Sequence, residues 1–228
     1  MKNCKNILFA SVVTILGSTQ IAQAHTSFVS SDALAGKSFF ATLNLGHGCE
    51  DEASGTKFDT ERLEVEIPAS VTELNSIRPM DAPWAAASVV KNTENKITRL
   101  VWTKTDTVHA EDSQLYRASF TAKLPNTPLA TLAFPTTQYC KDASGNEIKI
   151  EWIDAEAPSL KLMEAHKPGW NKYTAQNDID EATIKSFFAD AYIVWSGDAA
   201  YSANPVTDEL ISNKLQSISS GSEFWVKY

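Results

Sequence analysis

A strict alternation of apolar and polar side chains recurs along the first two thirds of the chain. It is regular in residues 62–67, 116–124 and 148–152, where every second side chain is apolar. This period is typical of a β-strand with one face on a core and the other in solvent. The less regular strand candidates are residues 37–45, 71–78, 96–103 and 129–139.

Clusters of Gly, Pro, Asn and Ser separate these segments, as expected for tight turns. They lie at residues 53–55, 92–95, 125–128 and 142–146. Residues 26–153 therefore hold about seven short strands with no helical period between them, which predicts an antiparallel two-sheet sandwich.

Residues 158–228 have a different pattern. Apolar side chains at helical spacing predict one helix within Asp178–Trp195, with Asp178 or Asp180 as its N-cap, and a second from Thr207 towards Gly221. The aromatic end, residues 224–228, is expected to dock on a surface. The sequence predicts a mainly β fold followed by a smaller mixed α/β C-terminal extension, with residues 165–170 as the natural boundary.

The first 24 residues have the three parts of a secretory signal. Lys2 and Lys5 form a basic start, residues 7–16 are apolar, and Ala22-Gln23-Ala24 is a small-x-small cleavage site. We therefore expect cleavage after Ala24 and a periplasmic location. Beyond the signal, no apolar run approaches the roughly 20 residues of a membrane helix, so no membrane span is expected.

Two cysteines, Cys49 and Cys140, follow the signal. An even pair in an oxidising compartment predicts one disulfide. The alternative is a thiolate metal site, although two cysteines so far apart lack the C-x-x-C spacing of a chelate.

The formal charge of −8 bears on the partners. Because an acidic chain is repelled by a phosphate backbone, nucleic acid is not an expected partner. Esterase Gly-x-Ser-x-Gly, metalloprotease HExxH and phosphate-loop motifs are not found, so we do not expect an enzyme.

Cleavage after Ala24 makes His25 the first residue of the exported chain. The α-amine and ring Nδ1 of a first histidine can chelate one metal ion together. Two nitrogen donors suit Cu(II), which has the highest affinity of the divalent ions in the series and prefers tetragonal N,O sites. The alternative is that the signal exposes a histidine by chance.

Further candidate ligands are His47, Glu50 and Trp152. His47-Gly48-Cys49-Glu50 follows a predicted strand and contains one half of the expected disulfide, which holds the neighbouring side chains rigidly. The same motif is equally consistent with a structural loop, and Trp152 with an ordinary core residue. His109 and His166 lie in polar segments and are expected to be exposed.

Together these residues resemble the YcnI-like family of bacterial exported copper-binding proteins, often encoded near copper-handling genes. The resemblance spans roughly residues 1–157. It rests on His25-Thr26, His47-Gly48-Cys49, Val65-Glu66-Ile67-Pro68 and the stretch from Gln138-Tyr139 to Ile150-Glu151-Trp152.

The resemblance implies an immunoglobulin-like β-sandwich over residues 25–157 that binds Cu(II) through one N-terminal histidine brace, here His25. It also implies a carboxylate ligand and an auxiliary tryptophan, here Trp152. The family pattern has Asn-Glu where this chain has His47-Gly48-Cys49-Glu50, so either Glu50 supplies the carboxylate or His47 replaces it. Residues 158–228 lie outside the family pattern and their role is open.

The leading expectation is a periplasmic copper chaperone, buffer or delivery factor, whose partners are the copper ion and other periplasmic or membrane copper-handling proteins. The first alternative is a copper-dependent oxygenase of the histidine-brace type, with His47 as the second histidine. The second is a metal-free interaction module, a common use of sandwiches.

Overall fold

The computed structural model describes residues 26–51, 55–80, 84–105, 115–142 and 144–228. Fourteen strands and one short 3-10 helix form its N-terminal part. They are β1 (Ser27–Phe28), β2 (Asp32–Leu34), β3 (Ser38–Leu45), β4 (Cys49–Asp51), β5 (Thr56–Phe58), β6 (Thr60–Glu66), β7 (Glu73–Arg78), β8 (Ser88–Lys91), β9 (Ile97–Thr103), β10 (Tyr116–Lys123), β11 (Thr131–Ala133), β12 (Thr136–Lys141), β13 (Glu147–Trp152), the 3-10 helix Asp154–Glu156, and β14 (Ser159–Met163).

Two antiparallel sheets face each other across this part of the chain. One has the order β1-β3-β10-β7 and the other β13-β12-β6-β9-β8; a small sheet β11-β14-β2 and the hairpin β4-β5 lie beside them. The structure confirms the predicted sandwich, since the alternating strands bury one face each. In β3 and β10, for example, Ala41, Leu43, Ala118 and Phe120 are inaccessible to solvent.

One predicted strand is in fact two. The segment 129–139 divides into β11 and β12, with Pro135 between them. Because proline has no backbone N–H, it cannot donate to a ladder within a sheet. The break lets β11 pair with β14 while β12 pairs with β6 and β13.

The C-terminal extension forms its own four-stranded sheet, β15-β20-β17-β18, and a two-stranded ribbon, β16-β19. Its elements are β15 (Trp170–Thr174), β16 (Ile179–Asp180), α1 (Glu181–Phe187), β17 (Ile193–Ser196), β18 (Ala199–Tyr201), α2 (Pro205–Glu209), β19 (Ser217–Ile218) and β20 (Glu223–Lys227). The predicted mixed α/β extension is therefore present.

Both helices are shorter than the spacing predicts. Asp180 is the N-cap of α1, accepting a hydrogen bond from the Thr183 N–H at 2.8 Å, but the helix ends at Phe187. Ile193 and Val194 belong instead to β17, because pairing with β20 buries Val194 completely. In α2, Asn204 is the N-cap, and the chain leaves the helix after Glu209.

The aromatic C-terminus docks as predicted. β20 lies between β15 and β17 and buries Phe224 and Val226. The Tyr228 ring stacks on His166, with ring centroids 3.7 Å apart, although His166 is exposed as expected. Burial, together with the charge of Glu164, raises the pKa of Tyr173 in the same corner to about 12.

The chain has two apolar clusters that meet. Leu160 and Leu162 of β14 belong to the first cluster, so this strand packs with the sandwich. Leu129 and Met163 pack against the second cluster, which lies within the extension. Among the described residues, no helix has both the length and the apolar character to cross a membrane.

The predicted disulfide between Cys49 and Cys140 is confirmed, with their Cα atoms 6.0 Å apart. It joins β4 to β12 across a sequence separation of 91 residues. Because a long closed loop restricts the unfolded chain strongly, replacing both cysteines by serine should lower the free energy of unfolding by about 2–4 kcal/mol. Urea denaturation of the wild-type and double-serine proteins measures this, and coincident unfolding curves would contradict the estimate.

Candidate metal centre

The antiparallel pairing of β1 and β3 brings the start of the described chain towards the His47 turn. Ser27 pairs with Asn44 and Phe28 with Leu43. Because the strands run in opposite directions, the chain before Ser27 advances along β3 towards Leu45, and His47 follows two residues later. Thr26, the first described residue, is almost completely buried at this end of the sheet.

The turn that carries His47 is held from the sandwich side. The Gln138 side chain donates a hydrogen bond to the His47 carbonyl at 2.8 Å and contacts the Thr60 hydroxyl. Two residues further, the Cys49 N–H donates to the Cys140 sulfur at 3.0 Å. The disulfide and Gln138 therefore fix the backbone of the turn at two neighbouring points.

One nitrogen of the His47 ring contacts the backbone of its own turn. Its Nδ1 lies 2.6 Å from the Gly48 carbonyl oxygen. A carbonyl only accepts hydrogen bonds, so Nδ1 carries the proton. In a neutral ring the lone pair then belongs to Nε2, the arrangement in which a histidine binds a metal through Nε2.

Trp152 lies on the inner face of β13, in the second sheet. It pairs with Thr136 and is buried in the sandwich core. The two sheets meet at the Phe28 and Phe134 rings, which are in edge contact with centroids 5.1 Å apart. Thr26 and Thr136 each lie two residues along the chain from these rings. The ring contact therefore connects the first described strand to the segment that leads into the Thr136–Trp152 pair.

A buried hydroxyl lies at the start of the described chain. Thr26 Oγ1 is inaccessible to solvent and has no hydrogen-bond partner among the described residues. Because an unsatisfied buried polar atom is costly, this hydroxyl would gain from a polar group bound beside it.

The other predicted ligands are placed differently. Glu50 is exposed and pairs with Lys57 in the β4-β5 hairpin, on the face opposite to that of the buried Cys49. The structure thus places the buried Thr26 at the end of β3 that leads into the His47 turn, Trp152 in the core on β13, and Glu50 on the outer surface. His25 and His109 lie outside the described residues. Within the described ranges, His, Cys, Asp and Glu side chains form no group of three that could hold a metal ion.

A buried ion pair supports this end of the sandwich. Asp59 bonds the Lys104 ammonium, and its carboxylate accepts the Tyr116 hydroxyl at 3.0 Å. Asp59 Oδ1 also accepts the Thr60 N–H at 2.8 Å, and Thr60 contacts Gln138. A hydrogen-bonded chain therefore runs from the buried pair to the His47 carbonyl.

The family comparison gives a match over most of the sandwich. The family described as "Domain of unknown function (DUF1775)" matches residues 25–169. The chain belongs to this family. The DUF1775 family is the YcnI-like family that the sequence motifs resemble.

Several solved structures are similar to the chain, including the following two. One is an uncharacterised protein from Nocardia farcinica with an immunoglobulin-like fold: 22% identity, 61% of this chain and 98% of that chain covered, TM-score 0.46. The other is the full-length major pilin SpaD from Corynebacterium diphtheriae: 11% identity, 89% and 49% covered, TM-score 0.38. No curated protein matches the chain.

Sequence reasoning missed four residues that lie on the hydrogen-bonded chain behind the His47 turn: Asp59, Lys104, Tyr116 and Gln138. The burial of Gln138 could have been predicted from the sequence. Thr136, Gln138 and Cys140 lie on the same face of β12, and the disulfide requires that face to point inward. A glutamine on an inner face needs partners, here Thr60 and the His47 carbonyl.

Proposed function

We propose that this protein binds Cu(II) in the periplasm through the first residue of its exported form, and acts in copper storage or delivery rather than as an enzyme. The observation that supports the proposal is that the buried Thr26, which directly follows His25 in the sequence, lies at the end of β3 that leads into the His47 turn. The exported form begins at His25 if the signal is cleaved after Ala24, as its small-x-small site predicts.

The donor chemistry supports copper. In this proposal the α-amine and Nδ1 of His25 form the chelate, directly before the buried Thr26. His47 offers a further nitrogen through Nε2, since its Nδ1 proton is directed to the Gly48 carbonyl. Such nitrogen donors are typical of Cu(II) sites, and thiolate is excluded as a ligand by the disulfide. Because Glu50 is exposed on the outer face of β4, we favour His47 as the additional ligand.

Copper titration tests the proposal directly. Protein with a native His25 terminus should bind one Cu(II) ion, with a paramagnetic resonance spectrum showing tetragonal geometry and nitrogen hyperfine coupling. A second preparation with Zn(II) serves as the comparison, because copper should displace zinc from such donors. A spectrum identical to aqueous copper would overturn the proposal.

Trp152 provides a separate optical prediction. If it lies beside the bound ion, Cu(II) should quench part of the tryptophan fluorescence, and Trp152→Phe should remove most of that quenching. Phenylalanine preserves much of the packing, so the fold should survive with modestly reduced stability. Trp102→Phe is the matched control, since Trp102 is a fully buried core tryptophan paired with Leu63 in the same sheet. Equal loss of quenching in the two variants would contradict the placement.

The oxygenase alternative can also be tested, because His47 would be the second histidine that it requires. That function needs two histidines on one copper ion and turnover with oxygen. Copper-loaded protein incubated with ascorbate, oxygen and a polysaccharide should release no oxidised sugars if the protein is a carrier. Oxidised products that depend on His47 would instead establish the enzyme.

A further inference from the structure

Three tryptophans lie on the outer face of the C-terminal sheet. Trp170 in β15, Trp195 in β17 and Trp225 in β20 are 48%, 49% and 44% exposed. The inner face of the same sheet carries the buried Val194, Phe224 and Val226. The outer face of the sheet therefore carries large apolar side chains that the rest of the protein does not cover.

The register of the sheet makes these side chains neighbours. Trp195 pairs directly with Trp225, and Trp225 pairs with Lys172. In the adjacent row, Trp170 pairs with Lys227. Each row therefore contains tryptophan beside lysine, and we call this surface the tryptophan face: Trp170, Lys172, Trp195, Trp225 and Lys227.

The tryptophan face is partly pre-arranged. The Trp195 indole N–H donates to the Gly197 carbonyl at 2.9 Å, which fixes the ring plane. The Trp170 and Trp195 ring centroids are 6.5 Å apart. The Lys172 and Lys227 ammonium groups lie 5.7 and 6.0 Å from the centroids of Trp225 and Trp170. Aromatic side chains have few rotatable bonds and lose little conformational entropy on binding. The free-energy cost of ordering this surface around a ligand is therefore small.

The area of the tryptophan face decides between classes of occupant. A tryptophan offers up to about 250 Å² of surface, so three rings exposed by nearly half present roughly 350 Å². A stable protein interface needs about 800 Å² on each partner, which makes a second copy of the chain a poor fit. A patch of this size on one protein is often functional and suits a narrow ligand.

The charge of the tryptophan face gives the chemistry of that ligand. The chain carries a formal charge of −8, yet the charges among the tryptophans are Lys172 and Lys227. Glu223 lies at the border, where it pairs with Lys172 at 2.7 Å. A ligand that matches this surface has flat, weakly polar faces for the indoles and anionic groups for the lysines.

We propose that the tryptophan face binds an acidic polysaccharide, with sugar rings stacked on Trp225, Trp195 and Trp170 and a carboxylate directed to Lys227, since Lys172 is already paired with Glu223. The Trp170 and Trp195 rings are tilted by 53° to each other, so each would contact a different sugar ring of the chain. The site is independent of the copper proposal, since it lies on the outer surface of the C-terminal sheet.

Calorimetric titration of the full exported chain tests the proposal. The probes are hexamers of galacturonate, guluronate and hyaluronan, with cellohexaose as the neutral comparison. At least one acidic hexamer should bind, more weakly at high salt, and cellohexaose should bind less tightly. Trp195→Ala and Trp225→Ala should each weaken binding at least about tenfold, as expected for tryptophan anchors. Lys227→Gln should weaken the acidic ligand and leave the neutral one unchanged.

Leu210→Ala is the matched control, because Leu210 is 80% exposed in the same extension but lies off the tryptophan face. It should bind as the wild type does, and thermal unfolding should show that all variants are folded. Absence of binding across the acidic panel, or equal binding by folded tryptophan variants, would overturn the proposal. So would tighter binding of cellohexaose, phosphatidylglycerol vesicles or oligo-deoxythymidine, or tryptophan-dependent self-association.

Discussion

One glycine added in front of His25 should weaken Cu(II) binding by several orders of magnitude. The addition turns the His25 α-amine into an amide nitrogen, which is not basic and binds copper only after losing its proton. A free α-amine has a pKa of about 8 and gives up its proton to a metal near neutral pH. The His25 imidazole, the net charge of the chain and the sandwich fold are unchanged. The loss of Cu(II) affinity therefore measures the contribution of the chelate alone. Competition titration against a chelator of known affinity gives the magnitude.

Point variants divide this effect among the proposed ligands. His25→Ala should cost at least as much affinity as the added glycine, because it removes the imidazole and the chelate ring together. His47→Ala should have a smaller effect, and Glu50→Ala the smallest, since the Glu50 side chain is exposed on the outer face of β4. If the extended protein binds copper as tightly as the native form, with the same resonance spectrum, the brace proposal is wrong.

The sandwich was predictable because alternation determines which face of each strand is buried. Three strands with strict alternation, β6, β10 and β13, appear close to their predicted bounds. The length of the first helix of the extension was overestimated because Ile193 and Val194 fit the period of a helix as well as that of a strand. The choice between the two depends on β20, which follows some 30 residues later and buries Val194. Local spacing carries no information about such a partner.

The candidate site was predictable only in part. The His47 motif and Trp152 could be selected from the sequence as candidate ligands, and the β1–β3 register then placed Thr26 at the end of β3 that leads to His47. The supporting ion pair was not predictable from the sequence. Asp59 and Lys104 are 45 residues apart, and each has the pattern of an ordinary charged residue at the end of a strand. The same is true of the tryptophan face, which exists only through the pairing of β15, β20 and β17.

Asp59→Asn should lower the free energy of unfolding by about 3–5 kcal/mol, because it removes the Asp59 carboxylate from the buried Lys104 ammonium. The two side chains are only 2% and 4% exposed. Asparagine has nearly the same volume, so the loss does not come from a cavity. It also keeps an oxygen for the Tyr116 hydroxyl, which confines the change to the ion pair. Urea denaturation followed by tryptophan fluorescence measures the difference.

The double variant Asp59→Asn/Lys104→Met separates the charge from the packing. Removing both charges should recover much of the stability lost in Asp59→Asn, since a buried ion pair and an apolar pair of similar volume are often comparable in stability. Glu151→Gln is the exposed control: it breaks the surface pair with Lys149 and should change stability little. If Asp59→Asn is as mild as Glu151→Gln, the buried pair is not a support of the sandwich. If the single variant is severe and the double one recovers, copper affinity in the double variant then shows whether the chain from Asp59 through Thr60 and Gln138 positions the His47 turn.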